Sequence, residues 1–306
     1  MSDDILEFPL SEATEFSDGR RWTDGALNIP TEPEQIPSTA RIIALTGACG
    51  GAGTTSIAIQ LAHELSQSVQ KKGLRNQHQA RPKVCLLDLD FEGGGLANAI
   101  DVPTDLETAD LDQSETKIDE VFVTAVTRVH HSGFAIIASA GEFGGNERVN
   151  PNAVLTLLDI VSSQYETVIL DLPTTKTSWT LPAFLGADHR AIVTPLTVAG
   201  LRRTALRLKS FDPLFEAEAK ADIILNKAER RTLRASLNER DARKALGRDP
   251  LGSICLDYDL TNSAINTGEP CGVLRRDARF VKDVRDVLKI WGAQKIDGAV
   301  QQKTAI

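Results

Sequence analysis

Seven short apolar runs recur along the chain with helix-length segments between them, and no other feature narrows the fold as far. They are RIIALTG (41–47), KVCLLDLD (83–90), FAIIASA (134–140), ETVILDLP (166–173), HRAIVTP (189–195), ADIILNK (221–227) and LGSICLD (251–257). Runs of this length without polar alternation read as strands buried on both faces. Between them, residues 54–69 place Ile57, Leu61 and Leu65 four apart, and NAVLTLLDIVSSQ (152–164) and LRRTALRLKSF (201–211) also have helical texture. Strand–helix alternation of this kind predicts an α/β domain with a mostly parallel sheet and helices on both faces. No internal repeat is present.

A final stripe of Phe280, Val281, Val284, Val287, Leu288 and Trp291 predicts a last helix over 277–291. The opposite face mixes Lys282, Asp283, Arg285, Asp286 and Lys289, which fits a helix packed on the sheet better than one lying on a membrane surface. With 42% hydrophobic and 25% charged residues, the chain falls among ordinary globular domains. No apolar run approaches the ~20 residues that span a bilayer. MSDDILEFPL has no secretory pattern, so a cytoplasmic location is expected.

Charge divides the chain. Residues 1–40 hold nine acids against two arginines, leaving about −1 of the net −8 for the remainder. The expected organisation is an acidic, disordered tail over 1–40, one nucleotide-binding domain over 41–292 and a flexible end over 293–306. A nearly neutral body argues against direct DNA binding. Segment 227–248 carries eight basic residues against three acids, which suits a solvated helix face or one turned to DNA, an acidic lipid surface or an acidic partner. The four cysteines form no C-x-x-C pair, so neither a disulfide framework nor a zinc site is expected, and Cys85 reads as core. His130 and His131 read as a surface pair without function.

The first strand runs into TGACGGAGTTS (46–56) and then a helix. That order suits a phosphate-binding loop, in which backbone N–H groups and the helix N-terminus face the anion and glycines allow close approach. The usual pattern is G-x-x-x-x-G-K-[ST]. Aligned on Gly53, Ala48 replaces the first glycine, Thr54 replaces the lysine, and Thr55 keeps the hydroxyl that holds magnesium. Asp88, Asp90 and Asp171 lie at strand ends, the edge where open parallel sheets bind ligands. Unpaired carboxylates are costly there, and a magnesium nucleotide would account for them.

With these motifs assembled, residues 41–292 resemble the ParA/MinD group of deviant phosphate-loop ATPases. The resemblance rests on Gly50, Gly51, Gly53, Thr55 and Ser56, on the pair Asp88 and Asp90, on VILDLP with Asp171, on Asn226 of LNK, and on LDYDLTNSAINTGEP before the last helix. GACGGAGTTS, LDLDFEGGGLA and SSQYETVILDLP are most similar to the CpaE/TadZ branch, localisation proteins of tight-adherence (Flp) pilus assembly. The resemblance implies a single P-loop NTPase domain of the SIMIBI type that binds ATP or ADP with Mg. Gly50, Gly51, Ala52, Gly53, Thr54, Thr55, Ser56 and Asn226 would contact nucleotide. Thr55, Asp88 and Asp171 would hold the metal, partly through water, and Asp88 and Asp90 are the catalytic candidates.

It further implies a homodimer that recruits pilus secretion components, placed at a pole or peripherally at the inner membrane. Alternatives are a partitioning or division-site ATPase and a nucleotide-free scaffold of the same fold. Two departures matter. Many members of the branch carry a receiver-like domain ahead of the ATPase domain, for which about 40 residues are too few. The group's signature lysine position holds Cys49, so with Thr54 both loop lysines are replaced and hydrolysis is expected to be weak or absent unless an arginine substitutes, Arg202 and Arg203 being candidates. A reactive role for Cys49 at a helix N-terminus is a lesser expectation.

Overall fold

The computed structural model describes residues 40–72, 82–112, 118–214, 220–229 and 237–303. The chain alternates through β1 (Arg41–Gly47), α1 (Thr54–Lys72), β2 (Val84–Asp88), α2 (Gly95–Ile100), α3 (Thr108–Asp112), α4 (Glu120–Val126), β3 (Arg128–Val129) and β4 (Ala135–Ile137). It continues through α5 (Gly145–Arg148), α6 (Pro151–Gln164), β5 (Thr167–Leu172), α7 (Thr180–Leu185), β6 (His189–Pro195), α8 (Val198–Phe211) and β7 (Asp222–Ala228). The last elements are α9 (Glu239–Leu246), β8 (Gly252–Cys255), α10 (Tyr258–Thr267), α11 (Cys271–Leu274) and α12 (Arg279–Lys303).

Eight strands form one sheet in the order β3-β4-β2-β5-β1-β6-β7-β8. Every pairing is parallel except β3 with β4. The apolar runs have the cause their texture suggested. Ile42 and Ala44 of β1 enter a core on one face with α6, α7 and α8, while Ile43 and Leu45 enter a core on the other face with α1 and α12. The expected α/β fold with helices on both faces is therefore the observed one.

Several expectations change. Segment 134–140 forms a strand only over β4, and the two-residue antiparallel β3 at the sheet edge had no sequence signal. The last helix runs on to Lys303, beyond the expected domain end at 292. Residues 1–39 of the expected acidic tail lie outside the described residues, while Ala40 is already core.

Asp283, assigned from sequence to the solvent face of α12, is 5% exposed. Its carboxylate accepts the Cys255 N–H at 3.0 Å and pairs with Arg279 at 2.6 Å, so it satisfies a backbone donor at the end of β8. His130 is likewise buried rather than on the surface. Its Nδ1 accepts the Ser132 N–H at 3.1 Å, which leaves Nε2 to donate to the Gly268 carbonyl at 3.3 Å. His131 and Glu269 approach it closely enough for a metal triad, yet both His130 nitrogens are committed and no ring lone pair faces such an ion.

A polar network fastens α12 to α1. Gln60 Nε2 donates to Glu64 at 2.8 Å, Gln60 Oε1 accepts the Gly272 N–H at 2.8 Å, and Arg285 Nε donates to Glu64 at 2.7 Å. In segment 227–248, Arg243 pairs with Asp249 and Arg248 with Asp212, while Asn238 and Asp241 form a capping box on α9.

Candidate functional site

β1 lies between β5 and β6, and its carboxyl end at Gly47 opens into the glycine loop that leads to the N-terminus of α1. Ala48 N–H donates to the Val193 carbonyl at 2.8 Å, and Ala52 N–H to the Cys49 carbonyl at 3.2 Å. Gly51 and Gly53 adopt φ of 70° and 89°, a region that side chains strain to enter. Gly53 is constrained twice, because a Cβ there would stand 2.3 Å from Asn226 Nδ2. Gly50 and Gly51 face open space. The result is a curved run of backbone with a clear outer side at a helix N-terminus, the geometry that cradles an anion.

The end of β7 braces this loop. Asn226 Nδ2 donates to the Ala52 carbonyl at 2.8 Å, and Lys227 Nζ to the Gly51 carbonyl at 2.7 Å. Both side chains aim there because the β7–β8 register shifts between Leu225 and Ala228 and Lys227 takes a left-handed φ of 56°. Beside Gly53, Ser56 and Asn226, a cavity of about 200 Å³ extends to Asp257, Tyr258 and Asn262. The late loop singled out in the sequence thus forms its far wall.

The carboxylates gather at the same edge. Asp88 and Asp171 are register partners on adjacent strands and both are buried. Asp88 accepts the N–H groups of Asp90 at 2.9 Å and Leu96 at 3.3 Å. Burial first, and Asp171 second, push the Asp88 carboxyl well above the ordinary range against the pull of those two N–H groups. Burial also raises Asp171 to about 7, opposed by a hydrogen bond from the Thr55 hydroxyl. Asp90 is placed differently. One of its oxygens accepts the Gly93 N–H at 2.9 Å and the Asn146 amide at 3.0 Å, so it shapes the turn after β2.

Thr54 is nearly buried, and its hydroxyl lies 3.0 Å from where a Gly47 Cβ would stand, under the loop. Arg202 and Arg203 are exposed on α8. Arg207, one turn further on, is the arginine that reaches the loop's base. It donates to the Thr174 carbonyl at 2.8 Å and to Thr46 Oγ1 at 3.2 Å. Sequence reasoning missed it, although its position three residues after Thr204 and four before Phe211 marks the inner edge of an amphipathic helix. Lys227 was also missed; its adjacency to Asn226 was the available signal. Cys49 and the other three cysteines are free thiols; Cys85 is fully buried, as expected, and burial pushes its pKa up.

No family model and no curated protein sequence matches the chain. Solved structures do. The ParA family ATPase from Chlorobium tepidum is similar with a TM-score of 0.68 and 21% identity, over 82% of this chain and 98% of that one. The septum site-determining protein MinD from Pyrococcus horikoshii, solved with Mg-ADP, is similar with a TM-score of 0.64 and 16% identity, over 87% and 100%. An ATP complex of a McdA variant from Cyanothece gives 0.60 and 17%, over 83% and 97%. At these identities the likeness speaks to architecture, and the architecture of this chain is the single-domain P-loop fold of the ParA/MinD ATPases.

Proposed function

We propose that the chain binds ATP and ADP with magnesium at this edge, over a domain spanning 41–292, and uses the nucleotide as a structural ligand that stabilises a homodimer. One observation carries the reading. A glycine loop at a helix N-terminus stands beside two buried, adjacent carboxylates that have no cationic partner among the described residues. A buried carboxylate pair without a cation is unfavourable, and a divalent ion relieves it. The donor set, one hydroxyl and two carboxylates, fits magnesium: Thr55, Asp88 and Asp171 would hold it, the aspartates partly through water. Bound there, the ion supplies positive charge to the phosphates. Backbone amides of residues 50–56 receive the phosphates, and the cavity beside Asn226 receives the base.

Hydrolysis is slow or absent in this reading, because Cys49 and Thr54 stand where two lysines would stabilise developing charge, and each such contact is worth about 10²–10³ in rate. The finer reading is a localisation factor of the CpaE/TadZ kind for Flp pilus assembly, recruiting secretion components at a pole or the inner membrane. The motifs at residues 47–56, 87–97 and 162–173 support it. Pairing of Arg243 and Arg248 with acids speaks against a free DNA-binding face on α9. Titration of the full chain with fluorescent ATP, with and without magnesium, tests the core claim alongside sizing. Magnesium-dependent uptake and a shift from monomer to dimer are expected; no uptake at millimolar nucleotide reduces the chain to a scaffold. A tagged copy spread over the nucleoid rather than held in a focus overturns the pilus reading.

A further inference from the structure

We propose that Arg207 supplies, from α8, the cation that the loop itself lacks, and that it recognises the terminal phosphate of a nucleoside triphosphate. The inference rests on the nucleotide reading above and adds a residue and a specificity to it.

The environment of Arg207 is unusual for an arginine. Its half-buried guanidinium lies between the base of the loop and the segment after β5, where it donates to two neutral oxygens, the Thr174 carbonyl and Thr46 Oγ1. Its Nε is buried with no partner, and no carboxylate pairs with it among the described residues. The Phe211 ring, 5.4 Å from the guanidinium carbon, also favours the charge. Arginine does not shed its proton to escape burial, so a cation held this way calls for an anion. Burial depresses the Arg207 pKa, with Cys49 opposing.

The position points to which anion. Thr46 immediately precedes Gly47. A Cβ on Gly47 would stand 3.2 Å from the Thr174 methyl and 3.0 Å from both the Cys49 carbonyl and the Thr54 hydroxyl. Thr174, whose carbonyl Arg207 holds, thus lines the same small space beside Gly47 as the Cys49 carbonyl and the Thr54 hydroxyl, the two positions of the missing lysines. Exchanging the neutral Thr174 carbonyl for a phosphate oxygen gives the guanidinium a charged partner, and the unpartnered Nε–H can donate to a second oxygen of the same phosphate. It also frees Thr174, so arrival of a third phosphate is coupled to release of the segment after Asp171. A diphosphate leaves Arg207 on Thr174.

Two substitutions separate charge from latch. Arg207→Lys keeps the cation, whereas Arg207→Gln keeps a donor for the Thr174 carbonyl without the charge. Calorimetry on the full chain would compare a non-hydrolysable Mg·ATP analogue with Mg·ADP, thermal melts establishing that each variant folds. The proposal expects the glutamine variant to lose about tenfold in analogue affinity while ADP affinity stays within twofold, and the lysine variant to keep most of the preference. Equal losses for both nucleotides, or a preserved preference in the glutamine variant, make Arg207 a structural latch only and overturn the proposal. Arginine-directed modification of the unaltered protein gives an independent readout, in which the ATP analogue but not ADP should protect Arg207; absence of that protection overturns the proposal whatever the variants do. If the unaltered protein binds neither nucleotide, the nucleotide reading itself fails; binding of both without discrimination defeats only the role of Arg207.

Discussion

Asp88 and Asp171 face each other in register at the ends of β2 and β5, 1% and 4% exposed, with a hydroxyl and backbone N–H groups near them and, among the described residues, no positive side chain. Burial raises both carboxyls, so the folded protein keeps their protons to higher pH than unfolded aspartates, which release them at about 3.9. The folded state therefore binds more protons than the unfolded one between that value and about 7, and stability falls as pH rises through this window. Without magnesium, the melting temperature should drop from pH 5 to pH 7.5, and Asp171→Asn should flatten the drop. A melting temperature that climbs over this range contradicts the pairing.

The same protons compete with the metal. Magnesium needs the carboxylates ionised, so Mg·ATP binding should release a proton and weaken by roughly tenfold from pH 8 to pH 6, following a group that titrates near 7. Calorimetry in buffers of different ionisation enthalpy measures the proton count directly. No proton release at pH 6.5 would exclude these aspartates from the metal site.

Thr54 occupies the position of the lysine that ordinarily follows the last loop glycine. Thr54→Lys should raise ATP turnover by about 10², read by phosphate release. An unchanged rate in a folded, nucleotide-binding variant counts against the alignment of the loop on Gly53.

Gly53 has no space for a methyl group and a backbone conformation that resists one. Gly53→Ala should displace Asn226 from the Ala52 carbonyl and destabilise the fold by about 1–3 kcal/mol, with nucleotide uptake falling at least tenfold. Denaturant melts and titration check the two effects. Gly50→Ala, which meets open space, serves as the comparison and should leave the fold intact.

Arg285 and Glu64 join α12 to α1, with side chains 28% and 11% exposed. Arg285→Ala leaves the more buried partner without its cation, at a cost of about 3 kcal/mol, the lower end for breaking a buried pair because the arginine side is partly open to water and Gln60 still donates to Glu64. Urea unfolding measures it. A change within 0.5 kcal/mol would place the network outside the stabilising contacts.

The core of this protein was legible because it is local. Apolar runs without alternation identified the central strands, four-residue spacing identified α1, helical texture identified α6 and α8, an apolar stripe identified α12, and Gly51 and Gly53 marked a turn whose positive φ favours glycine. Asp88 and Asp171 stood out because each acid follows an apolar run at or next to the end of its strand. The two residues of β3 are too few to carry a period, and its existence depends on pairing with β4.

What the sequence determined by itself is a doubly covered parallel sheet with a glycine loop and carboxylates on one edge, since backbone geometry and burial periodicity act within a few residues. The tertiary structure alone decided which charges are buried and against what. Asp283 left the solvent face to cap β8, His130 went under α10, Lys227 turned onto the loop through a register shift, and Arg207 rather than Arg202 or Arg203 reached Thr174. Each of these joins residues far apart in the chain, and whether a charge is stable at such a place depends on desolvation and partners that exist only once the chain has folded.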